Sequence, residues 1–530
     1  MKILLYNAKV HTQDNNTPDA DTIFIEDDKI RFVGRKDRFN ETFFDDTLKI
    51  DLKGKIVLPG FIDCHTHFVN YAFSKRSVDL TGLEKPDEIK STLLNFRKVY
   101  PEINDWIHGI GWDKNLWEDQ SFFNRDFLDK IIPNIPVSLS SKDLHSFLCN
   151  SKALERMNIT SHTPDPPEGS FGRDQDGSLN GFLYEKAWKC IDEIRPNPTF
   201  NEQVILVRQA IDEAHRLGLT GINSMEGKDA YELFKYLHKN KQINLRTCWH
   251  FRSDLLEEMI GKGVESYTGD EWFKYGGLKL FMDGSIGSHT AYMFHPYYGE
   301  PENLGTLFHT EDELYEIVLN AAKHNISPTI HAIGDKANHL VINSLIKVKN
   351  HPEIKKKDLL YRIEHLQCCT PEDQERVAAE GIYCSMQPIH ISLDVKTTER
   401  MWGGYGKNSY PFRTLLNKGA ILGFGSDVPV ETHDPFKGIY SALERKYHCD
   451  PHEESWIPEQ KISVKDAIKA YTIDAAKGIR SEDIIGSLTP GKKADIIVID
   501  DFNHELNEFW LEAKPYMTII NGEIAFNNLP

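Results

Sequence analysis

Cysteine, positive charge and long apolar runs are all scarce in this chain. Its 530 residues include 8 cysteines. Only Cys368 and Cys369 are adjacent and none forms a CxxC pair, which excludes a zinc-ribbon or thioredoxin-type motif. A chain of this length has no need of disulfides, so reduced thiols in a cytoplasm are expected. Lys and Arg number 62 against 80 Asp and Glu, a formal net charge of -18. That balance argues against nucleic acid or an anionic membrane as the main partner. No apolar stretch reaches the ~20 residues that span a bilayer. The apolar run within Met1–Asn7 is too short for a secretory leader. Internal repeats and low-complexity tracts are also missing. What remains is an ordinary globular composition, 40% hydrophobic and 27% charged, with a small-molecule substrate as the expected partner and a homodimer as the candidate assembly.

Both ends read as β-structure. Ile3–Leu5, Thr22–Ile25 and Lys29–Gly34 are short β-prone runs, and Ala494–Asp500 and Met517–Ile524 match them at the other end. Asn521-Gly522 is a hairpin-turn signal. One small β-sandwich built from residues 1–58 and 483–530 is therefore expected. Between the ends the pattern alternates strand and helix. Strand candidates are Gly60–His65, Leu219–Ser224, Leu245–Phe251, Gly277–Met282, Ser327–His331, Tyr361–His365, Ile382–Met386 and Ile421–Ser426, with amphipathic helices such as Glu311–His324 and Pro371–Glu380 between them. Eight such units predict an α/β fold, a closed (β/α)8 TIM barrel over residues 59–73 and 200–482. A barrel allots about 30 residues to each unit. The stretch from His67 to Leu219 is several times longer, so an α/β subdomain over 74–199 is expected as an insertion after the first strand. It would lie over the active site.

The strongest local signal is Pro59-Gly60-Phe61-Ile62-Asp63-Cys64-His65-Thr66-His67. Residues two apart in a strand point the same way, so His65 and His67 can hold one metal from a strand end. His331 and His365 end two further strands, and Asp427 follows the last. Alone, each histidine is more often a satisfied core residue and Asp427 a helix N-cap. Together they fall at the C-terminal strand ends, where barrel active sites assemble. Imidazole and carboxylate donors suit zinc or a similar divalent ion.

An ordered set of segments then resembles the amidohydrolase superfamily, within it the amidohydrolase 3 branch that includes N-substituted formamide deformylases. The set runs from PGFIDCHTHF through Asp143-Leu144-His145, Leu278–Ser285, HAIGD, RIEHLQ, Ser385–His390 and GSDVP to Ile485–Asp495. The resemblance implies a role for Lys279 that spacing does not: a lysine carboxylated by CO2 and bridging two cations. A buried lysine paired with Asp283 is the competing account. It further implies one or two zinc ions per chain, with His65, His67 and Asp427 on one, His331 and His365 on the other, and Asp427 as the catalytic base. Asp283, Gln387 and His390 are expected to contact substrate, joined by His145 and Trp112 from the insertion. The expected reaction is hydrolysis of a C–N bond in an amide, formamide or cyclic amide by metal-activated water. Two alternatives stay open: a deaminase or phosphoester hydrolase on the same barrel, and a non-catalytic relative acting as a scaffold.

Overall fold

The computed structural model describes every residue except 15, 18, 40–45, 102, 113, 115, 116, 118–120, 142–145, 167, 168, 447–453, 502–506 and 530. Its centre is one sheet of eight parallel strands: β1 Phe61–Thr66, β2 Leu219–Ser224, β3 Arg246–Arg252, β4 Phe273–Phe281, β5 Pro328–Ala332, β6 Arg362–His365, β7 Tyr383–Met386 and β8 Leu422–Phe424. Each strand pairs with the next in sequence order. Closure occurs just beyond β8, where Thr66 bridges Val428, the Asp427 amide donates to the His65 carbonyl and the His67 amide to the Val428 carbonyl. The fold is a (β/α)8 barrel, as the alternation predicts. Strands β2, β5, β6, β7 and β8 are buried along their whole length. Burial on both faces leaves no solvent-facing polar alternation in these strands, and the polar side chains they carry are themselves buried.

Local chemistry sets the helix ends. Thr310 and Glu313 form a reciprocal capping box at the start of Glu311–Lys323. Thr370 caps Pro371–Glu380, and Gly381 ends it in the left-handed conformation at φ 64°.

The chain divides into two compact units, Met1–Val69 with Arg208–Pro530, and Asn70–Val207. In the first unit the termini form two sheets beside the barrel. Lys29–Gly34, Thr22–Glu26, Lys2–Tyr6 and Thr47–Asp51 make one. Lys9–Val10, Ile56–Pro59, Ile496–Ile499, Pro515–Ile520 and Glu523–Asn527 make the other. Leu5, Ile23, Val57, Ile496, Val498 and Met517 share a core there. The run Met517–Ile524 folds as a hairpin, its turn at Asn521 (φ 53°) and Gly522 (φ 77°). Two successive positive φ values are what a type I′ turn demands.

Arg246 on β3 joins barrel to sandwich. Its guanidinium grips Asp495 in bidentate fashion at 2.6 and 2.9 Å, with both side chains nearly fully buried. Removing one partner of such a pair strands a buried charge. Asp495→Ala is therefore expected to cost about 3–5 kcal/mol. Chemical denaturation checks this, and an unchanged midpoint contradicts it.

The second unit holds a six-stranded sheet in the order Gly169–Arg173, Leu179–Glu185, Ser146–Cys149, Val137–Ser141, Ile107–Trp112, Ser77–Asp79. Helices Pro86–Val99 and Arg125–Ile131 belong to the same unit. Trp112 corrects an expectation here. It is 3% exposed, its ring lies 5.8 Å from Trp117 and 5.1 Å from Phe123, and its indole N–H donates to the Leu139 carbonyl. It packs this unit's own core instead of presenting a face to substrate, because a large aromatic body gains most from full burial. His145 lies outside the described residues. Among the described residues no helix is long and apolar enough to cross a membrane.

Candidate metal centre

The C-terminal strand ends bring six of the expected residues to one place. His65 and His67 come from the end of β1, Lys279 from β4, His331 from β5, His365 from β6 and Asp427 from beyond β8. All six line a cavity of about 490 Å³. The rings of His65 and His365 are 4.8 Å apart, and those of His331 and His365 are 4.5 Å apart.

Backbone geometry explains two of these positions. In β6, Arg362 and Glu364 point into the barrel by alternation, so His365 should point outward. The backbone leaves the strand at His365 (φ 71°) and Leu366 (φ 43°), which turns the imidazole inward too. Asp427 likewise sits at φ 58°. Such conformations cost non-glycine residues of order 1–3 kcal/mol and collect at functional sites.

The electrostatics favour a cation. His65 Nδ1 lies 2.6 Å from Glu364 Oε2. The Glu364 carboxylate resists burial, but Arg362 and His65 hold its pKa well below the usual range. An ionised carboxylate accepts, so Nδ1 carries the proton and Nε2 keeps a lone pair. Burial, and then the Lys279 charge, lower the His65 pKa to about 4. His331 falls to about 3 and His365 well below its ordinary value, burial again being the largest cause. Burial opposes ionisation of Asp427, yet the imidazoles of His65, His67, His365 and His390 hold its pKa well below the usual carboxylate range. A neutral imidazole lone pair therefore faces an anionic oxygen, His65 Nε2 to Asp427 Oδ1, at 3.5 Å, and His67 Nε2 is 3.2 Å from the same oxygen. Two donors about 2.1 Å from one cation at the tetrahedral angle sit about 3.4 Å apart. One ligand atom each from His65, His365 and Asp427 lies within 4.8 Å of the others. The donor set fits a divalent ion.

Lys279 Nζ is buried with no hydrogen-bond partner among the described residues. It stands 4.8 Å over the Phe281 ring. Burial lowers its pKa to about 8, against the opposing pull of Glu364 and Asp427. The competing pairing with Asp283 is not what holds it. Asp283 accepts from the backbone amides of Tyr292, Ile333 and Gly334 and is fully buried. It organises the loops around His331 and does not line the cavity, which corrects its expected substrate contact. Gln387 is also buried away from the cavity lining, its amide nitrogen without a partner among the described residues. His390 does line the cavity, 4.0 Å from Asp427 Oδ2.

Sequence reasoning passed over Glu364, Arg362, Asp63, Gln367 and Asp394. Arg362 is fully buried and donates to Glu364, to the Cys64 carbonyl, to Asn223 Oδ1 at 3.2 Å and to Ser385 Oγ at 3.1 Å. It ties β1, β2, β6 and β7 behind the metal-facing layer. Asp63 accepts from the amides of His65 and Ser426 and from the Ser426 hydroxyl at 2.6 Å, closing β1 onto the segment after β8. The available signal was an Arg-x-Glu pair on an otherwise apolar strand. Two opposite charges on one face of a barrel strand must be buried together.

Comparison with known proteins identifies the family. The sequence profile of the Amidohydrolase family matches residues 49–526. The chain is 31% identical to the protein LONG AFTER FAR-RED 3 of Arabidopsis thaliana over 98% of its length and 91% of the relative. It is 26% identical to an N-substituted formamide deformylase of Arthrobacter pascens, covering 94% of this chain and 93% of that one. Among solved structures, an uncharacterized metal-dependent hydrolase from Pyrococcus horikoshii superposes with a TM-score of 0.76 at 27% identity, over 96% of this chain and 99% of the other. A family profile covering almost the entire barrel and much of the sandwich, together with relatives aligned end to end, establishes that the chain belongs to the amidohydrolase family.

Proposed function

We propose that the protein is a zinc-type metal-dependent hydrolase that cleaves a C–N bond of an amide, formamide or cyclic amide in a small molecule. The observation that carries this reading is the meeting of the His65 lone pair with the Asp427 carboxylate at 3.5 Å while Glu364 occupies the other face of the same imidazole. His65, His67 and Asp427 would hold one cation, and His331 and His365 a second. A bound cation supplies an acidified water and a Lewis acid for the substrate carbonyl. The chain's own groups do the rest. Asp427 accepts a proton from the attacking water and delivers it to the departing nitrogen. Lys279, its pKa lowered by burial to about 8, would react with CO2 through its free-amine fraction and lose a proton, giving an anionic carbamate with two oxygens. Phe281, Ile286 and Ile333 help exclude water from the cavity. The deformylase relative makes N-formyl amines the first compounds to try.

Glu364, bonded to His65 Nδ1, would leave Nε2 as the nitrogen to hold a cation. Removing such a carboxylate partner typically lowers metal affinity ~10–100-fold. Glu364→Gln is expected to fall in that range in competition with a chromophoric chelator, and unaltered affinity contradicts the role. For the reaction itself, zinc- and manganese-loaded protein is screened against N-formyl, N-acyl and cyclic amides with amine release as the signal. Wild type exceeding His65→Ala on at least one class supports the proposal. Identical traces across the whole panel reject it.

A further inference from the structure

One wall of the cavity carries a carboxylate that the hydrolytic chemistry does not use. Asp394 sits in the first turn of the helix Ile391–Trp402, with Thr397 one turn further on, and both line the cavity. Gln367 Nε2 donates to Asp394 Oδ2 at 2.6 Å, and the Tyr410 hydroxyl donates to the same oxygen at 2.5 Å. Among the described residues no hydrogen bond reaches Oδ1. Burial raises the pKa of this acid, while His390, Tyr410 and Gln367 pull it back and the charge of Glu431 raises it further. So one oxygen is locked by two neutral donors, and the other belongs to a carboxylate on the cavity wall.

A carboxylate oxygen on the cavity wall with no protein donor is left to water or to a donor that a ligand supplies. An ionised donor is the strongest partner for it. Glu431 adds a second negative charge nearby, its Oε1 accepting from Ser392 Oγ at 3.4 Å. His390, on this side of the cavity, lies beside Asp427 with its Nε2 3.2 Å from the Ser426 carbonyl. Gln367 and Tyr410 are neutral and do not neutralise the carboxylate.

We propose that Asp394 anchors a cationic nitrogen of the substrate, so that the molecule hydrolysed is an amide whose remote end carries an ammonium group. This inference rests on the hydrolytic reading of the same cavity.

The test uses three matched series of N-formyl amines, with spacers of three to six carbons ending in ammonium, hydroxyl or methyl. Wild type and Asp394→Asn, both zinc-loaded, are compared by kcat/KM and, separately, by calorimetric affinity for the same compounds. Asparagine keeps an oxygen for Gln367 and Tyr410 but replaces the other with an N–H2 group. Wild type is expected to prefer the ammonium series over the methyl series by ~10–100-fold, the range for a hydrogen bond to a charged group. In Asp394→Asn that ratio is expected to fall to near one. No ammonium preference in wild type, or equal losses across all three series in the variant, overturns the proposal. Compounds bound in an Asp394-dependent way but never hydrolysed leave the anchor standing and remove the hydrolytic reading. Compounds hydrolysed without discrimination do the reverse.

Discussion

Asp427→Asn is expected to keep the fold and lose ~10²–10⁴-fold in turnover, the usual contribution of a general base. The side chain is near-isosteric, and the Asp427 backbone amide, which helps close the barrel through the His65 carbonyl, is untouched. What changes is charge. Oδ1 of Asp427 lies 3.2 Å from His67 Nε2 and 3.5 Å from His65 Nε2. An amide there can neither accept the proton of the attacking water nor balance a cation shared with the His65 and His67 imidazoles. The check is circular dichroism and a thermal midpoint beside kcat on whichever amide the screen identifies. Near-normal turnover reduces Asp427 to a barrel-closing residue.

Lys279→Ala is expected to lose the second equivalent of metal and keep the first. A buried ammonium beside His331 and His365 would repel a cation, whereas a carbamate would attract two, so on the proposed reading the chemical state of Lys279 sets occupancy. Burial already lowers its pKa to about 8, which places an appreciable share of free amine within reach of CO2 near neutral pH. No hydrogen bond is lost with the amine, which has none among the described residues. Elemental analysis of wild type and variant, both grown with CO2 available, reads the outcome. Two full equivalents in the alanine variant rule out the bridging role.

The barrel was legible in the sequence because its strands are buried on both faces. The strand candidate Leu219–Ser224 and the amphipathic helix Pro371–Glu380 match the structure to the residue. The cavity-lining histidines were legible because they end strands and a barrel gathers strand ends, whereas Lys279 was singled out only through the family resemblance. Glu364 and Arg362 were harder. They work through other residues, and a buried ion pair leaves no periodicity of its own. His365 was found by its chemical type, although strict strand alternation would have pointed it away; only the left-handed backbone at that residue brings it in. Trp112 and Asp283 failed for the same physical reason. Each is a residue type that can serve a ligand, but here a complete set of protein partners already satisfies it.

Metal content of the purified protein tests the central claim most directly. Elemental analysis of wild type, dialysed against metal-free buffer, is run beside His65→Ala. The account predicts about one to two equivalents of zinc or a similar divalent ion in wild type, as one- and two-metal hydrolases hold, and a marked deficit in the variant. Folded wild-type protein that carries no divalent ion and takes up none from added zinc would contradict it.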